Sequence, residues 1–490
     1  MSDSVKDIKT KAVVGTVLNF ISNVLTKCGS MIVQLVLARL ILPEEFGTIA
    51  ILNVFISIAN VFTTKGFASA IIQKNNVTEV DKSSAFYMSL GISLFLYVAI
   101  FVSSPYIAKF YDSADLENVL RVYAVVIIMG ALMSVHNALL QKELKFNVNM
   151  WKGVIIVVVQ GVVGILLAYK GYGVWALVIS YIIGNAVSVA YIWFMIKWRP
   201  KLLFSWTAIK SMFKFSSNVL MSSLFNTVYS DIRALVIGKV YTTEQLAFYD
   251  RANLIRGYIF DTTIGAVSTV ALPTLSKVND SLENVKIGIR RIIKINMYIS
   301  TPMRVGLILI AEPLILLLLT ETWRESIPFL QLICITNILA PCMYRTNAYL
   351  AIGKSSIALR TELINKLSIL ICIFLTLKYN VYMVVISALF GNVLSFIEGL
   401  IVNKKYIGYT IKEQIADIIP SIILSIVMGI PIYLISLLNL PNILQLILQV
   451  GVGGISYALI SIISKNECFY YLLSIFKDIV LGKLGKKKGV

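Results

Sequence analysis

Four charged residues crowd into a stretch otherwise apolar enough to cross a membrane: Asp231, Arg233, Arg251 and Arg256, within residues 222–276. Ser222, Asn226, Tyr229, Ser230 and Arg233 fall within a narrow arc when stepped at about 100° per residue. A polar stripe with an apolar back faces water enclosed by protein rather than acyl chains. Guanidinium groups present planar forks of donors that match phosphate oxygens, and ammonium groups present point charges. The chemistry expected of this surface is reversible binding of an anion carried across a bilayer.

Other stretches repeat the pattern. Asn19, Asn23, Thr26, Lys27, Ser30 and Gln34 share about a third of one helix circumference. Asn296, Ser300 and Arg304 recur at steps of four, and Asn337, Tyr344 and Arg345 share a side with Pro341 loosening the backbone between them. Lys65 lies off the Asn53, Ser57, Asn60, Thr64 stripe, near an inner end. Asp250 and Asp261 align on one face, whereas Arg251 and Arg256 point elsewhere. A lone Arg at mid-bilayer costs from about 3 to above 10 kcal/mol, so such cations need carboxylate partners or a wet lumen. The candidate partners are Asp231, Asp250, Asp261 and Glu312, fewer than the cations. The competing readings are local: Arg39, Lys239, Arg251 and Lys65 reach out to headgroups, and Arg233 and Arg256 pair with Asp231 and Asp261. Lys27, Arg304 and Arg345 have no evident acidic neighbour. His136, the single histidine, sits at a span end and reads as interfacial rather than as a proton relay.

The elements that must position these groups are membrane-spanning helices. The chain has 490 residues, 58% hydrophobic and 14% charged, against about 25% charged in soluble domains. Apolar windows long enough to cross a core of about 30 Å recur from end to end. The expected fold is an all-α polytopic membrane protein of about fourteen spans: 12–38, 47–70, 83–107, 119–137, 151–168, 174–194, 213–238, 248–272, 292–318, 327–350, 362–378, 381–402, 417–437 and 443–463. Lys and Arg gather in alternate loops, which places both termini in the cytoplasm. No cleavable leader is expected, because the first residues are polar and the first apolar stretch is long enough to span.

The expected organisation is a six-helix lobe (1–196), a linker (197–212), a second six-helix lobe (213–404), two peripheral spans (405–464) and a basic cytoplasmic tail (465–490). A weak repeat at an offset of 200 residues pairs Arg39 with Lys239, and residues 43–47 with residues 243–247. Six spans per repeat is even, so the lobes relate by a pseudo-two-fold along the membrane normal. Pro420 and Pro431 interrupt the first span of the terminal pair.

These placements exclude several classes. The net charge of +19 lies in loops beside membrane spans, which argues against nucleic acid as partner. Catalytic signatures are missing, with a single histidine, too few for an HExxH metal site, and no extramembrane domain between the spans, so an enzyme is not expected. The five cysteines are scattered and read as small apolar residues.

Several segments resemble the polysaccharide transporter family, the Wzx-type oligosaccharide flippases of the MATE-like MOP superfamily. They are residues 38–47 (ARLILPEEFG), Tyr249-Asp250-Arg251-Ala252, residues 271–276 (ALPTLS), Trp323, and Ala351-Ile352-Gly353-Lys354. The resemblance covers about residues 10 to 410. It implies a bacterial inner-membrane flippase that moves undecaprenyl-pyrophosphate-linked oligosaccharide to the outer leaflet by alternating access through a cationic cavity. The expected partners are membrane lipids, a glycan polymerase and a chain-length regulator, and the chain is expected to be a monomer without cofactor; Asp231, Asp250 and Asp261 are the candidates either for a coupling Na⁺ or H⁺ or for pairing with the cations. Lys27, Lys65, Arg233, Arg251 and Arg256 occupy the spans where the family places its substrate cations, with Lys replacing the usual Arg in the first lobe. Arg304 and Arg345 join them from the reading of the residues, with Asn19, Asn23, Gln34, Asn226 and Asn296 as polar lining. The alternatives are a lipid II flippase, a MATE-type drug or cation antiporter, which needs first-lobe carboxylates, and a membrane glycan polymerase or ligase, which needs a long outer loop.

Overall fold

The computed structural model describes residues 22–113, 115–276, 281–438 and 440–480, with side chains described throughout except at 214, 261–276, 347, 475, 476 and 478–480. Asn19 and the side chain of Asp261 therefore lie outside the described residues. Described residues are helical with no strand. Eight helices are long and apolar enough to cross a membrane, or ten if each of two sharply bent pairs is one span. Of the fourteen expected spans, the first begins outside the described residues. The seventh, eighth and eleventh fall on long helices whose charges lower their apolarity.

The chain divides into two compact units, Met1–Asp250 and Arg251–Val490. The first holds α1 (22–40), α2 (Pro43–Thr64), α3 (Gly66–Gln73), α4 (Glu79–Phe110), α5 (Asp115–Tyr123), α6 (Val125–Lys142), α7 (Phe146–Tyr169), α8 (Val174–Met195) and α9 (Trp206–Val240). The next helix, α10 (Thr243–Ser276), runs across the division. The sequence places the boundary in the linker, 197–212. That linker instead packs down: the amides of Lys201 and Ser205 donate to Ser83 and Ser84 of α4, and Trp198 Nε1 donates to Glu79. From Trp206 it is already helix and continues into the seventh span. Ile209 and Met212 join the core formed by Phe67, Ile71, Phe86 and Leu139. His136 is fully enclosed, stacked on Trp193 at 5.1 Å with Trp198 edge-on at 5.2 Å, so it is a core group rather than an interfacial one.

Small residues let helices of the first unit approach closely, as membrane bundles require. A Cβ on Gly161 would stand 2.6 Å from Val33, and one on Gly153 would stand 2.8 Å from Thr26, so this face of α1 packs on α7. Gly47 in the first turns of α2 lies under the Thr243 carbonyl at the start of α10, where a Cβ would stand 1.9 Å from that oxygen. The two segments matched by the internal repeat thus touch each other.

The second unit contains α11 (Leu282–Leu309), α12 (Ala311–Leu318), α13 (Ser326–Thr336), α14 (Arg345–Ala351), α15 (Ser355–Thr376), α16 (Val381–Ile407), α17 (Ile411–Ser436), α18 (Asn442–Ile463) and α19 (Glu467–Val480). α11 and α12 meet at 69°, and a 3₁₀ turn over Ala340–Tyr344, with Pro341 in its first turn, separates α13 from α14. The core packs Val285, Ile289, Ile293 and Met297 of α11 against Tyr349, Val402 and Tyr409. Pro420 and Pro431 sit inside a continuous α17, because neighbouring groups can satisfy the freed carbonyls in a packed membrane helix. α17 is also tied to α11: Arg290 grips Asp417 through Nε (2.7 Å) and Nη2 (3.1 Å), and Lys294 (3.3 Å) and the Tyr409 hydroxyl (2.7 Å) reach the same carboxylate. Tyr457 of α18 donates to the Tyr298 carbonyl, and Tyr298 donates to Ser461. The terminal pair is therefore built onto α11.

Candidate functional site

In the first unit the polar stripe of α9 meets α2 and the start of α10. Asp231 Oδ2 accepts from the Ser57 hydroxyl at 2.6 Å, and Oδ1 accepts from Ser230 at 2.9 Å. Arg233 does not pair with Asp231, since two residues along a helix point about 200° apart. Its Nη1 donates to the Tyr249 hydroxyl at 3.4 Å, its buried Nε has no partner, and no carboxylate lies within 4.0 Å among the described residues. Burying a guanidinium without an acid is costly, and among the described residues the Tyr249 hydroxyl is the side-chain group that meets it.

The rest of the first-unit set is spread more widely. Lys27 is half-buried on α1, Asn23 and Asn226 are exposed, and Gln34 donates to the Tyr181 hydroxyl at 3.2 Å. Lys65 is exposed at the break between α2 and α3. Lys239 lies against Asp112 at 3.2 Å and over the Phe110 ring, a surface cation. One further cation escaped the sequence reading. Lys152 of α7 is half-buried and donates to Asn137 at 2.7 Å, with no carboxylate within 4.0 Å among the described residues. It lies beside Trp151 at the start of a span, and no polar stripe in the sequence marks it.

In the second unit α11 presents Asn296, Ser300 and Arg304 in register. Asn296 donates to the Ile292 carbonyl, Ser300 to that of Asn296, and Arg304 Nη1 to that of Ser300 at 3.1 Å. Arg304 is 2% exposed, and its guanidinium carbon lies 4.6 Å from the Phe260 ring centroid. No carboxylate lies within 4.0 Å of it among the described residues. Arg256 of α10, whose Nε donates to Asn253 at 3.1 Å, stands close enough to Arg304 for their charges to repel. Arg251 is 6% exposed, so it is buried rather than reaching to headgroups. Asp250 is half-buried.

Two expectations about acids change. Glu312 is exposed and pairs with Arg324 at 2.8 Å in the loop after α12, so it does not serve an intramembrane cation. Arg324 also holds the exposed Glu321 carboxyl below the usual carboxylate range. Arg345 does have an acidic neighbour, Glu398 of α16 at 3.9 Å. Its Nη2 donates to the Ser395 carbonyl (2.6 Å) and hydroxyl (3.0 Å), and it is 1% exposed. A Cβ on Gly399 would stand 2.2 Å from the Arg345 guanidinium carbon, so the group lies flat on that backbone. Lys366 likewise pairs with Glu362 at 2.6 Å. Arg345 is thus held in place by α16, whereas Arg304 keeps its charge uncompensated.

A second feature of this unit is an apolar groove of about 440 Å³, lined by Ile259, Pro302, Leu307, Met428, Val450 and Tyr457. It runs between α10, α11, α17 and α18, with Pro302 and Leu307 flanking Arg304 in sequence. Cationic and apolar features therefore occur on one stretch of α11.

A family model described as "Polysaccharide biosynthesis protein" matches residues 36–328. An "Uncharacterized membrane protein in cps region" of Klebsiella pneumoniae is 22% identical over 495 residues, covering 97% of this chain and 99% of that protein. The "Lipopolysaccharide biosynthesis protein WzxC" of Escherichia coli (strain K12) is 23% identical over 338 residues, 68% of each chain. Among solved structures, the lipid II flippase MurJ in an inward closed conformation superposes with a TM-score of 0.73 at 18% identity, covering 93% of this chain and 99% of that one.

Proposed function

The chain belongs to the polysaccharide biosynthesis protein family, as a flippase of the MOP superfamily, and on that premise we propose that it carries a polyprenyl-pyrophosphate-linked oligosaccharide. The direction is from the cytoplasmic to the outer leaflet of a bacterial inner membrane, with both termini cytoplasmic. The observation that carries the reading is Arg304, a buried guanidinium with no carboxylate within 4.0 Å among the described residues and with the charge of Arg256 acting against its own. A diphosphate supplies the missing negative charge, and arginine forks suit its oxygens. Arg233, with its unpartnered Nε, offers the same chemistry in the first unit with Lys27 and Lys65, and Arg251 does so in the second. Asn23, Gln34, Asn226 and Asn296 meet sugar hydroxyls. Arg345, already held by Ser395 and Glu398, keeps α14 on α16 and positions the site rather than binding cargo.

The apolar groove beside Pro302 and Leu307 suits a polyprenyl chain, so the lipid part need not leave an apolar environment. Lipid II shares pyrophosphate and polyprenyl chemistry, and the choice of an oligosaccharide rests on the family and on the WzxC relative. Asp250 and Asp261 are assigned a coupling Na⁺ or H⁺. Collapsing each gradient separately in cells identifies which ion drives export, and export indifferent to both withdraws that assignment.

The test is surface glycan in a host whose own copy is deleted. Replacing Arg233 or Lys27 by Ala lowers exported glycan, Arg233→Ala by about tenfold or more, since a lost charge-assisted bond is worth roughly 1.5–3 kcal/mol. Lys239→Ala, a surface cation, leaves export near the parent level. Unchanged export for both Arg233→Ala and Lys27→Ala contradicts the reading.

A further inference from the structure

A pocket of about 490 Å³ opens between the start of α11 and α19, lined by Ile287, Arg290, Arg291, Lys294, Glu467 and Tyr471. Its place relative to the bilayer follows from α18, a membrane-crossing helix that ends at Ile463. α19 starts four residues later, and Glu467 lies 3.3 Å from Lys294 of α11. The pocket is therefore at the membrane–water boundary, beside the last described helix.

The ion pairs around it leave a cationic remainder. Lys286 reaches Glu413 at 3.0 Å, Arg290 reaches Glu413 and Asp417, and Lys294 reaches Asp417 and Glu467. Arg291 has no carboxylate within 4.0 Å among the described residues. Its guanidinium carbon sits 3.9 Å from the Tyr471 ring centroid, a stacking that fixes the fork of a side chain exposed to solvent. Lys465 lines an adjoining cavity of about 230 Å³ that shares Lys294, Glu467 and Cys468, and it too has no carboxylate within 4.0 Å among the described residues. Apolar surface accompanies the charge: Ile287, one turn before Arg291, is 57% exposed, and Tyr470 of α19 is 46% exposed. Tyr at this level is an interfacial anchor.

We propose that this pocket and the cavity adjoining it bind the phosphate headgroup of an anionic glycerophospholipid of the cytoplasmic leaflet, with Arg291 as the cation of the first, Lys465 as that of the second and Ile287 beside the first acyl carbons. Basic pockets beside transmembrane helices at that surface suit anionic headgroups. None of these residues is among the cations assigned to cargo, and the choice of the cytoplasmic leaflet rests on the orientation given under the proposed function.

The experiment uses the full purified chain in detergent, titrated with short-chain phosphatidylglycerol, phosphatidylcholine or inorganic phosphate, with retained lipid counted by native mass spectrometry. Phosphatidylglycerol is expected to bind well above phosphatidylcholine and to resist displacement by inorganic phosphate. In Arg291→Gln/Lys465→Gln its binding falls about tenfold or more, since each cation near an anionic lipid adds roughly a further increment of attraction. Arg291→Lys retains an intermediate affinity. Equal binding of the two lipids, displacement by inorganic phosphate at similar concentration, or undiminished binding in the double variant each overturns the proposal. Should the double variant fail to fold, the three ligands on the parent chain still decide the matter.

Discussion

Arg304→Met is expected to reduce surface glycan below about a hundredth of the parent level while the protein melts within about 1 kcal/mol of it. Methionine keeps much of the apolar stem that packs beside Phe260 but removes the fork. Truncating one partner of a desolvated charge pair costs about 2–5 kcal/mol, and each 1.4 kcal/mol is tenfold in binding. Stability is spared because Arg304 leaves behind no acid among the described residues. Among them, its hydrogen bond goes to the Ser300 carbonyl. Arg304→Lys keeps a charge but loses the planar donors and the ring stacking, so export falls less far. Were Arg304 merely structural, loss of export would track loss of thermal stability across the two variants. Quantified surface glycan and detergent melting curves on the same variants separate these outcomes.

Gly47→Ala is expected to cost about 3 kcal/mol of stability, at the upper end of what overpacking does, and to abolish export. The new methyl would stand 1.9 Å from the Thr243 carbonyl, and a backbone oxygen at a helix start cannot swing aside as a side chain can. Both residues open long helices, α2 and α10, so relief means moving one whole helix from the other. Gly91→Ala and Gly451→Ala are the controls. Each faces open space, and each is expected to be neutral or to stabilise by up to about 1 kcal/mol, because Gly carries an entropic penalty inside a helix. Melting curves of the three variants check this directly, and equal behaviour of all three contradicts it.

Periodicity made the α11 site legible. Asn296, Ser300 and Arg304 recur at steps of four, and the helix does place them in one file. Composition was likewise enough for an all-helical membrane protein, and short segments such as residues 38–47 carried the family. Pairing across sequence-distant helices was not legible. Glu398 meets Arg345 from 53 positions away, and a lone Glu near a span end gives no local sign of that role. Asp231 and Arg233 look like natural partners in a string of letters, yet helical geometry sends them to opposite sides, to Ser57 and to Tyr249. His136 read as interfacial because its two tryptophan neighbours come from the far end of α8 and the segment after it. The linker read as a tether because its hydrogen bonds to Ser83 and Ser84 depend on tertiary packing alone.

Translocation in vesicles holding only this protein, with a fluorescent polyprenyl-pyrophosphate saccharide and a quencher confined to the outside, measures most directly whether Arg304 and its fellow arginines move a diphosphate-bearing lipid through the membrane. The quenchable fraction is expected to rise faster with the parent chain than in protein-free vesicles, and at the protein-free rate with Arg304→Met. Equal rates for parent and variant, or a parent chain no faster than bare vesicles, would contradict it.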